Sequence, residues 1–318
     1  MFHTGLKRYE NADINSFTSN IGLRIRKVIN PLWRRALRLG TKRKMILETY
    51  PKLDKKKAYI FVANHSLDED IISVLQTIDR NVYLLHGTTD QMEHIPVFLA
   101  VWLNGMIFVN RLDQNNRKEA VQKMKRVLAA GNSVVLFPEG GYNNTENQLI
   151  MPLFSSPYLL SKEVGVEVEV VPIISFNPSG SDKIYMRAGN PINLAQYDKH
   201  EAMTVLRDEM GTIVYQIMEE HTVSVKRREL GADPRTAFME ERKNVYECQK
   251  WHWDVWDEEL TRYPGHGITT PQQAREYVDK VQVNLKNTKI IAGVLVRREE
   301  DKRYDLKEYL RRNISLHT

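Results

Sequence analysis

The 318-residue chain has a single cysteine, Cys248, so it can build neither an internal disulfide framework nor a cysteine-based metal cluster. A reducing compartment suits such a chain. It lacks any run close to the roughly 18 apolar residues that a membrane-spanning helix needs. The longest candidate, residues 97–109, is interrupted by Asn104-Gly105 and reads as core. The opening residues, MFHTGLKRYENAD, have no apolar centre of the kind a secretory leader carries, and no leader is expected. No internal repeat or low-complexity linker divides the chain. With 42% hydrophobic and 27% charged residues the composition is that of an ordinary globular protein rather than a disordered one. The length allows one large domain, or one domain with an appendage.

Acidic residues are missing from one long stretch. Nothing between Asp13 and Glu48 is acidic, while Arg24, Arg26, Lys27, Arg34, Arg35, Arg38, Lys42, Arg43 and Lys44 are all basic. The whole chain has 46 Lys and Arg against 40 Asp and Glu, a net charge of +6, so much of the excess is concentrated here. Ile14, Phe17, Ile21, Ile25, Val28 and Leu32 recur at helical spacing, and Trp33 and Leu37 extend that face beyond Pro31, where the helix is expected to kink or split. Basic residues beside an apolar stripe describe a helix lying on an anionic lipid surface. They equally describe a helix packed on the domain with its charges in water. Nucleic acid is the poorer fit, because no binding module accompanies the charge. The expected division is a basic amphipathic segment over 1–50, an α/β domain over 51–228 and a helical extension over 229–318.

The stretch AYIFVANHSLDED, residues 58–70, organises the rest. A short apolar run ends abruptly in Asn64-His65, and a segment with helical periodicity (Ile71, Ile72, Val74, Leu75, Ile78) follows two acids, which predicts strand, tight turn and helix. Ser66 or Asp68 is positioned to cap that helix. His65 then stands at the C-terminal end of a buried strand, where open α/β sheets place ligand chemistry. Five residues across such a turn can bring the Asp70 carboxylate to one imidazole nitrogen, leaving the other to take a proton from a hydroxyl. Taken alone, the pair also fits a capped helix beside a structural histidine.

Three more blocks follow in order: Gly105-Met-Ile-Phe108-Val-Asn110-Arg111, Phe137-Pro138-Glu139-Gly140 and Val171-Pro172-Ile173. With NHSLDED they resemble the four motifs of the glycerolipid acyltransferases, the lysophosphatidic acid and glycerol-3-phosphate acyltransferase family, over residues 57–191. The resemblance implies an α/β fold with a mixed, largely parallel sheet flanked by helices. It implies transfer of a fatty acyl group from acyl-CoA or an acyl-carrier protein to a hydroxyl of a lysophospholipid or glycerol phosphate in phospholipid biosynthesis, without metal or cofactor. His65 is then the base and Asp70 its orienting partner. Arg111 grips a phosphate, Glu139 holds the acceptor or braces the site, and Gly140, Asn110, Gly105 and Phe108 belong to the substrate-binding blocks. Pro172 lies on the acyl side. The implied location is the cytoplasmic face of a membrane, held peripherally.

The chain departs from that family after FPEG. Gly141-Tyr142-Asn143 replaces Thr-Arg-Ser, and Leu153-Phe154-Ser155-Ser156-Pro157 stands near the usual lysine-glycine pair. Either Lys162, Lys183 or Arg187 supplies the lost charge, or the acceptor head group is held differently. A different lipid or glycan acceptor, or a non-catalytic lipid-surface protein of the same fold, are the alternatives. Further strands are expected at 82–85, 106–109, 133–137, 166–176 and 183–188, helices at 98–103, 117–130, 157–164 and 200–221, and a last edge strand at 290–296. His86, alone in its surroundings, reads as structural. Trp251, Trp253 and Trp256 fall in a long helix expected from Pro234, as packing or as a roof over lipid.

Overall fold

The computed structural model of the protein describes residues 19–37, 41–66, 69–87, 104–110, 113–141, 143, 149–178, 181–221, 225–226, 288–291 and 294–297. Arg111, Tyr142, the expected helix at 98–103 and the tryptophan-bearing segment lie outside them. The elements used below are helix α1 (Asn20–Leu37), strands β1 (Lys44–Thr49) and β2 (Tyr59–Ala63), helix α2 (Asp70–Thr77), strands β3 (Val82–His86) and β4 (Ile107–Phe108), and helix α3 (Gln114–Ala129). They continue with strand β5 (Ser133–Leu136), helix α4 (Ser156–Glu163), strands β6 (Glu169–Phe176) and β7 (Lys183–Ala188), and helix α5 (Lys199–His221).

Seven strands form one sheet in the order β1-β7-β6-β2-β5-β3-β4. All neighbours pair in parallel except β6 with β7, so the sheet is mixed and largely parallel, as the sequence implies. β2 is central and its five residues are all buried. Its side chains alternate: Ile60 and Val62 join the core cluster that includes Met124 and Val127 of α3 and Leu206, Met210 and Ile213 of α5. Tyr59, Phe61 and Ala63 face Val74 and Leu75 of α2. A strand covered on both faces reads as a continuous apolar run, which is why β2 was legible.

The first strand was not. Lys44–Thr49 was assigned to the basic segment, with the domain beginning at 51; instead it pairs in parallel with β7 and forms the sheet edge. Its half-exposed pattern and basic start hide the period-2 signal. α2 is also corrected at its start. Glu69, not Ser66 or Asp68, is the N-cap residue, and its side chain makes no capping bond. Asp68 lies outside the described residues, and the Ser66 N–H instead donates to Asp70. In the last segment, the single edge strand expected at 290–296 is two antiparallel strands, β9 (Thr288–Ile291) and β10 (Val294–Arg297), which join β8 (Val225–Lys226) in a separate three-stranded sheet.

α1 does not split at Pro31, and its orientation is the reverse of an ordinary packed amphipathic helix. Ile21, Val28 and Leu32 are 74%, 76% and 66% exposed, whereas Arg26 is 3% exposed. On the packed side Leu23 and Leu37 meet the two apolar clusters, and polar and aromatic contacts join them. Trp33 Nε1 donates to Asn104 Oδ1 at 2.7 Å, Arg34 Nη2 to the Gln76 carbonyl at 2.7 Å, and the Arg26 guanidinium lies 4.7 Å above the Tyr83 ring centre. Trp33 therefore leaves the apolar stripe on which the sequence placed it, because its indole N–H has a buried partner inside. Among the described residues, no helix is long and apolar enough to cross a membrane.

Candidate active site

β2, β5 and β6 run parallel side by side, so the residues at their C-terminal ends share one rim. His65 follows β2, Phe137 to Gly140 follow β5, and Ser175 sits next to the end of β6. Asp70 opens α2, which folds back over the same rim. The five-residue spacing does what the sequence predicts: His65 Nδ1 lies 3.3 Å from Asp70 Oδ2. Asp70 is fully buried, and its Oδ2 also accepts the Ser66 N–H at 2.5 Å, which fastens the turn. With Nδ1–H donated to the carboxylate, Nε2 carries the lone pair of the ring. The Phe137 ring packs against the imidazole at 4.6 Å between centres.

Glu139 is a brace. Its Oε1 accepts the His65 N–H at 3.0 Å and its Oε2 accepts the Met151 N–H at 2.7 Å, and the side chain is fully buried. Of the two roles open to it in the sequence, this geometry commits both carboxylate oxygens to the backbone. Burial pushes the Glu139 carboxyl up to about 8, against the pull of the Met151 and His65 N–H groups and of Arg207. Arg207, buried on α5, donates from Nε and Nη2 to the Ile150 carbonyl at 3.3 and 3.0 Å and so fixes the segment that reaches Glu139. Gly140 has φ +76°, and a Cβ there would stand 2.4 Å from Cε2 of Phe154, whose ring occupies that space. The Phe154 N–H in turn donates to the Pro138 carbonyl at 2.8 Å.

The other predicted residues separate. Gly105 is a packing position: φ is +65° and a Cβ would meet Tyr83 at 2.9 Å. Phe108 is buried with its ring edge-on to His86, 6.3 Å between centres. Asn110 is exposed, and its N–H donates to Asn116 Oδ1 at 2.7 Å. Pro172 is buried in β6 opposite Val62, and its carbonyl accepts the Gly189 N–H at 2.9 Å. Arg187 is corrected as a source of the missing charge. It is held by Glu48 at 2.7 Å and by Glu220, with His221 Nε2 2.6 Å from the same Glu48, and this clasp ties β1, β7 and α5 together. Lys162 is exposed at the end of α4, just before β6 begins, which places it toward the rim opposite His65. Lys183 is exposed at the start of β7, in register with Lys44 of the edge strand.

Three residues at the site escaped the sequence. Asn64 bonds Ser175 through both side-chain atoms, and Ser175 in turn reaches Asp70. The Asn143 N–H donates to the His65 carbonyl at 2.5 Å, and its side chain donates to the Leu149 carbonyl at 3.2 Å. A polar residue inside an apolar strand was the available signal for Ser175, and a buried Asn at a strand end was the signal for Asn64.

A histidine–carboxylate pair at the C-terminal rim of an open α/β sheet is an arrangement that can take up and return a proton. Comparison with known proteins narrows it: residues 44–175 match the family model described as Acyltransferase, from the first residue of β1 to Ser175. The description of that model agrees with the family that the four blocks resemble, over this segment of the chain. A 1-acyl-sn-glycerol-3-phosphate acyltransferase of Chlamydomonas reinhardtii is 27% identical over 139 residues, 42% of this chain. The match spans 40% of the length of that relative. The crystal structure of the 1-acyl-sn-glycerophosphate (LPA) acyltransferase PlsC from Thermotoga maritima is similar over 69% of this chain and 88% of that one, at 19% identity and a TM-score of 0.46.

Proposed function

We propose that the protein transfers a fatty acyl group from an acyl thioester, acyl-CoA or acyl-carrier protein, to a hydroxyl of a lysophospholipid such as 1-acylglycerol-3-phosphate, in phospholipid biosynthesis. The observation that carries the reading is the contact of His65 Nδ1 with the buried Asp70 carboxylate at the rim of the segment that matches the acyltransferase family model. Nε2 takes the hydroxyl proton, the oxygen attacks the thioester carbonyl carbon, and the thiolate leaves with the proton returned from the imidazolium. Atoms balance without a further cofactor and without an acyl-enzyme. The test is purified protein with radiolabelled acyl-CoA or acyl-carrier protein and a panel of lysophospholipids and glycerol phosphate. Labelled acyl-ester product, diacyl from a lysophospholipid or monoacyl from glycerol phosphate, supports acyl transfer, and its absence across the panel rejects it.

The reading includes a place of work, the cytoplasmic face of a membrane with anionic lipid. Support comes from α1, whose aliphatic stripe (Ile21, Ile25, Val28, Leu32) faces outward beside the exposed Arg24, Lys27 and Arg35. A surface-lying helix presents this pattern to lipid, and each basic residue near an anionic leaflet contributes on the order of 1 kcal/mol. Deleting residues 1–44 would also remove the Trp33, Arg34 and Arg43 contacts and the first residue of β1. Substitution of the exposed stripe is cleaner. The triple variant Ile21→Glu, Val28→Glu, Leu32→Glu should lose cosedimentation with phosphatidylglycerol vesicles while keeping its melting temperature, and undiminished binding would move the anchor elsewhere.

A second acceptor reading has its own observation. Tyr142 stands where the family carries an arginine, and the adjoining Asn143 is committed to the His65 and Leu149 carbonyls. An acceptor with a different head group fits that change, and neutral lyso-lipids in the same panel distinguish it.

A further inference from the structure

The register of β6 against β2 brings one more side chain to the histidine–carboxylate pair, from a position that no motif assigns. Ser175 is fully buried among Val170, Val171, Ile173 and Ile174. A hydroxyl buried without a partner costs stability, so its bonds indicate why it is there. Its Oγ donates to Asp70 Oδ1, the carboxylate oxygen opposite the one that meets His65. The backbone of Ser175 is itself locked: its N–H donates to Asn64 Oδ1 at 2.8 Å, and Asn64 Nδ2 donates to its carbonyl at 2.9 Å. Asn64 directly precedes His65. The strand end, the turn and the carboxylate are thus one hydrogen-bonded unit.

We propose that Ser175 is a positioning residue for the His65–Asp70 pair. By holding Oδ1 it prevents rotation of the carboxylate about its terminal bond, and this keeps Oδ2 on both the Ser66 N–H and His65 Nδ1. A carboxylate that loses the Ser175 hydroxyl is held less firmly against these donors, and the imidazole loses part of what fixes its tautomer. Among the described residues, the titratable neighbours of Asp70 include His65 on its own turn and Glu139 from the turn after β5, whose two carboxyl oxygens accept from the backbone N–H groups of His65 and Met151. The role in catalysis rests on the acyl-transfer reading above; the role in holding His65 does not.

The experiment uses the full chain labelled with ¹⁵N-histidine, as wild type, Ser175→Ala, Ser175→Thr and, as a control for loss of a buried hydroxyl elsewhere, Ser161→Ala. In Ser175→Ala the hydrogen-bonded Nδ1–H resonance of His65 should shift or broaden. Turnover should fall about tenfold to a hundredfold, as for loss of a hydrogen bond to a charged group, with both KM values little changed. The acidic limb of the kcat/KM profile should move. Ser175→Thr should recover most of each signal, and Ser161→Ala should leave the resonance and the pH limb in place. An unchanged His65 resonance in folded Ser175→Ala overturns the proposal, whatever the activity. A shifted resonance with wild-type turnover and pH limb overturns its catalytic part. Wild-type protein inactive on every acceptor rejects the acyl-transfer reading instead, and the resonance still decides Ser175.

Discussion

Replacing Glu139 by Gln tests the brace beneath the His65 turn. The carboxyl group, in its acid form as in its charged form, sets one oxygen against each of two backbone N–H groups, those of His65 and Met151. An amide has a single oxygen, so in the variant one buried N–H faces an NH₂ group. Leaving a buried donor without its acceptor costs about 1–3 kcal/mol. The size of the loss should depend on pH. Burial raises the folded-state pKa of Glu139 to about 8 from its ordinary value of 4.5, so the acid form is the one favoured by folding. The contribution is therefore fully present below the unfolded value and is lost as pH rises through about 8. Gln does not titrate. Urea denaturation of both proteins from pH 4 to pH 9 should show wild type ahead by about 1–3 kcal/mol at the acidic end, with the gap narrowing from about pH 4.5 upward and the order of the two proteins reversed by pH 8. A gap that widened with pH would mean that the ionised form is the one the two N–H groups and Arg207 hold, and the burial argument would be wrong.

Asp70→Asn should keep the fold and lower turnover by about two to four orders of magnitude, because an amide can select the wrong imidazole tautomer; steady-state kinetics on folded protein checks it. Gly140→Ala places a Cβ against Phe154 at a positive φ and should cost about 2–4 kcal/mol by urea denaturation, whereas Gly131→Ala, with nothing within 4 Å, should carry the φ penalty alone. Arg187→Ala should destabilise by about 1–3 kcal/mol, discounted because Glu220 is more than half exposed, and salt should shrink the difference.

The parts of the fold that were legible are those in which local pattern and burial agree. The β2 run, its polar turn and the periodic start of α2 read directly, and the five-residue spacing of His65 and Asp70 follows from them. β1 was missed because an edge strand half open to solvent has no strong alternation, and its basic start continues the charged stretch before it. The facing of α1 was open for a physical reason: periodicity finds a stripe but does not say which side meets the protein, and here the buried side is held by Trp33, Arg34 and Arg26. Glu139 was ambiguous because its partners are backbone N–H groups, which leave no mark in a sequence. The Ser175–Asp70 and Arg187–Glu48 contacts join residues more than 100 positions apart, so only the folded sheet brings these partners together.

The most direct test of the central claim is acyl transfer by His65→Ala. Product formation from acyl thioester and lysophospholipid should be at background in the variant, while its urea midpoint, circular dichroism and vesicle binding match those of wild type. Transfer at the wild-type rate by a folded His65→Ala protein would contradict the assignment of His65 as the base.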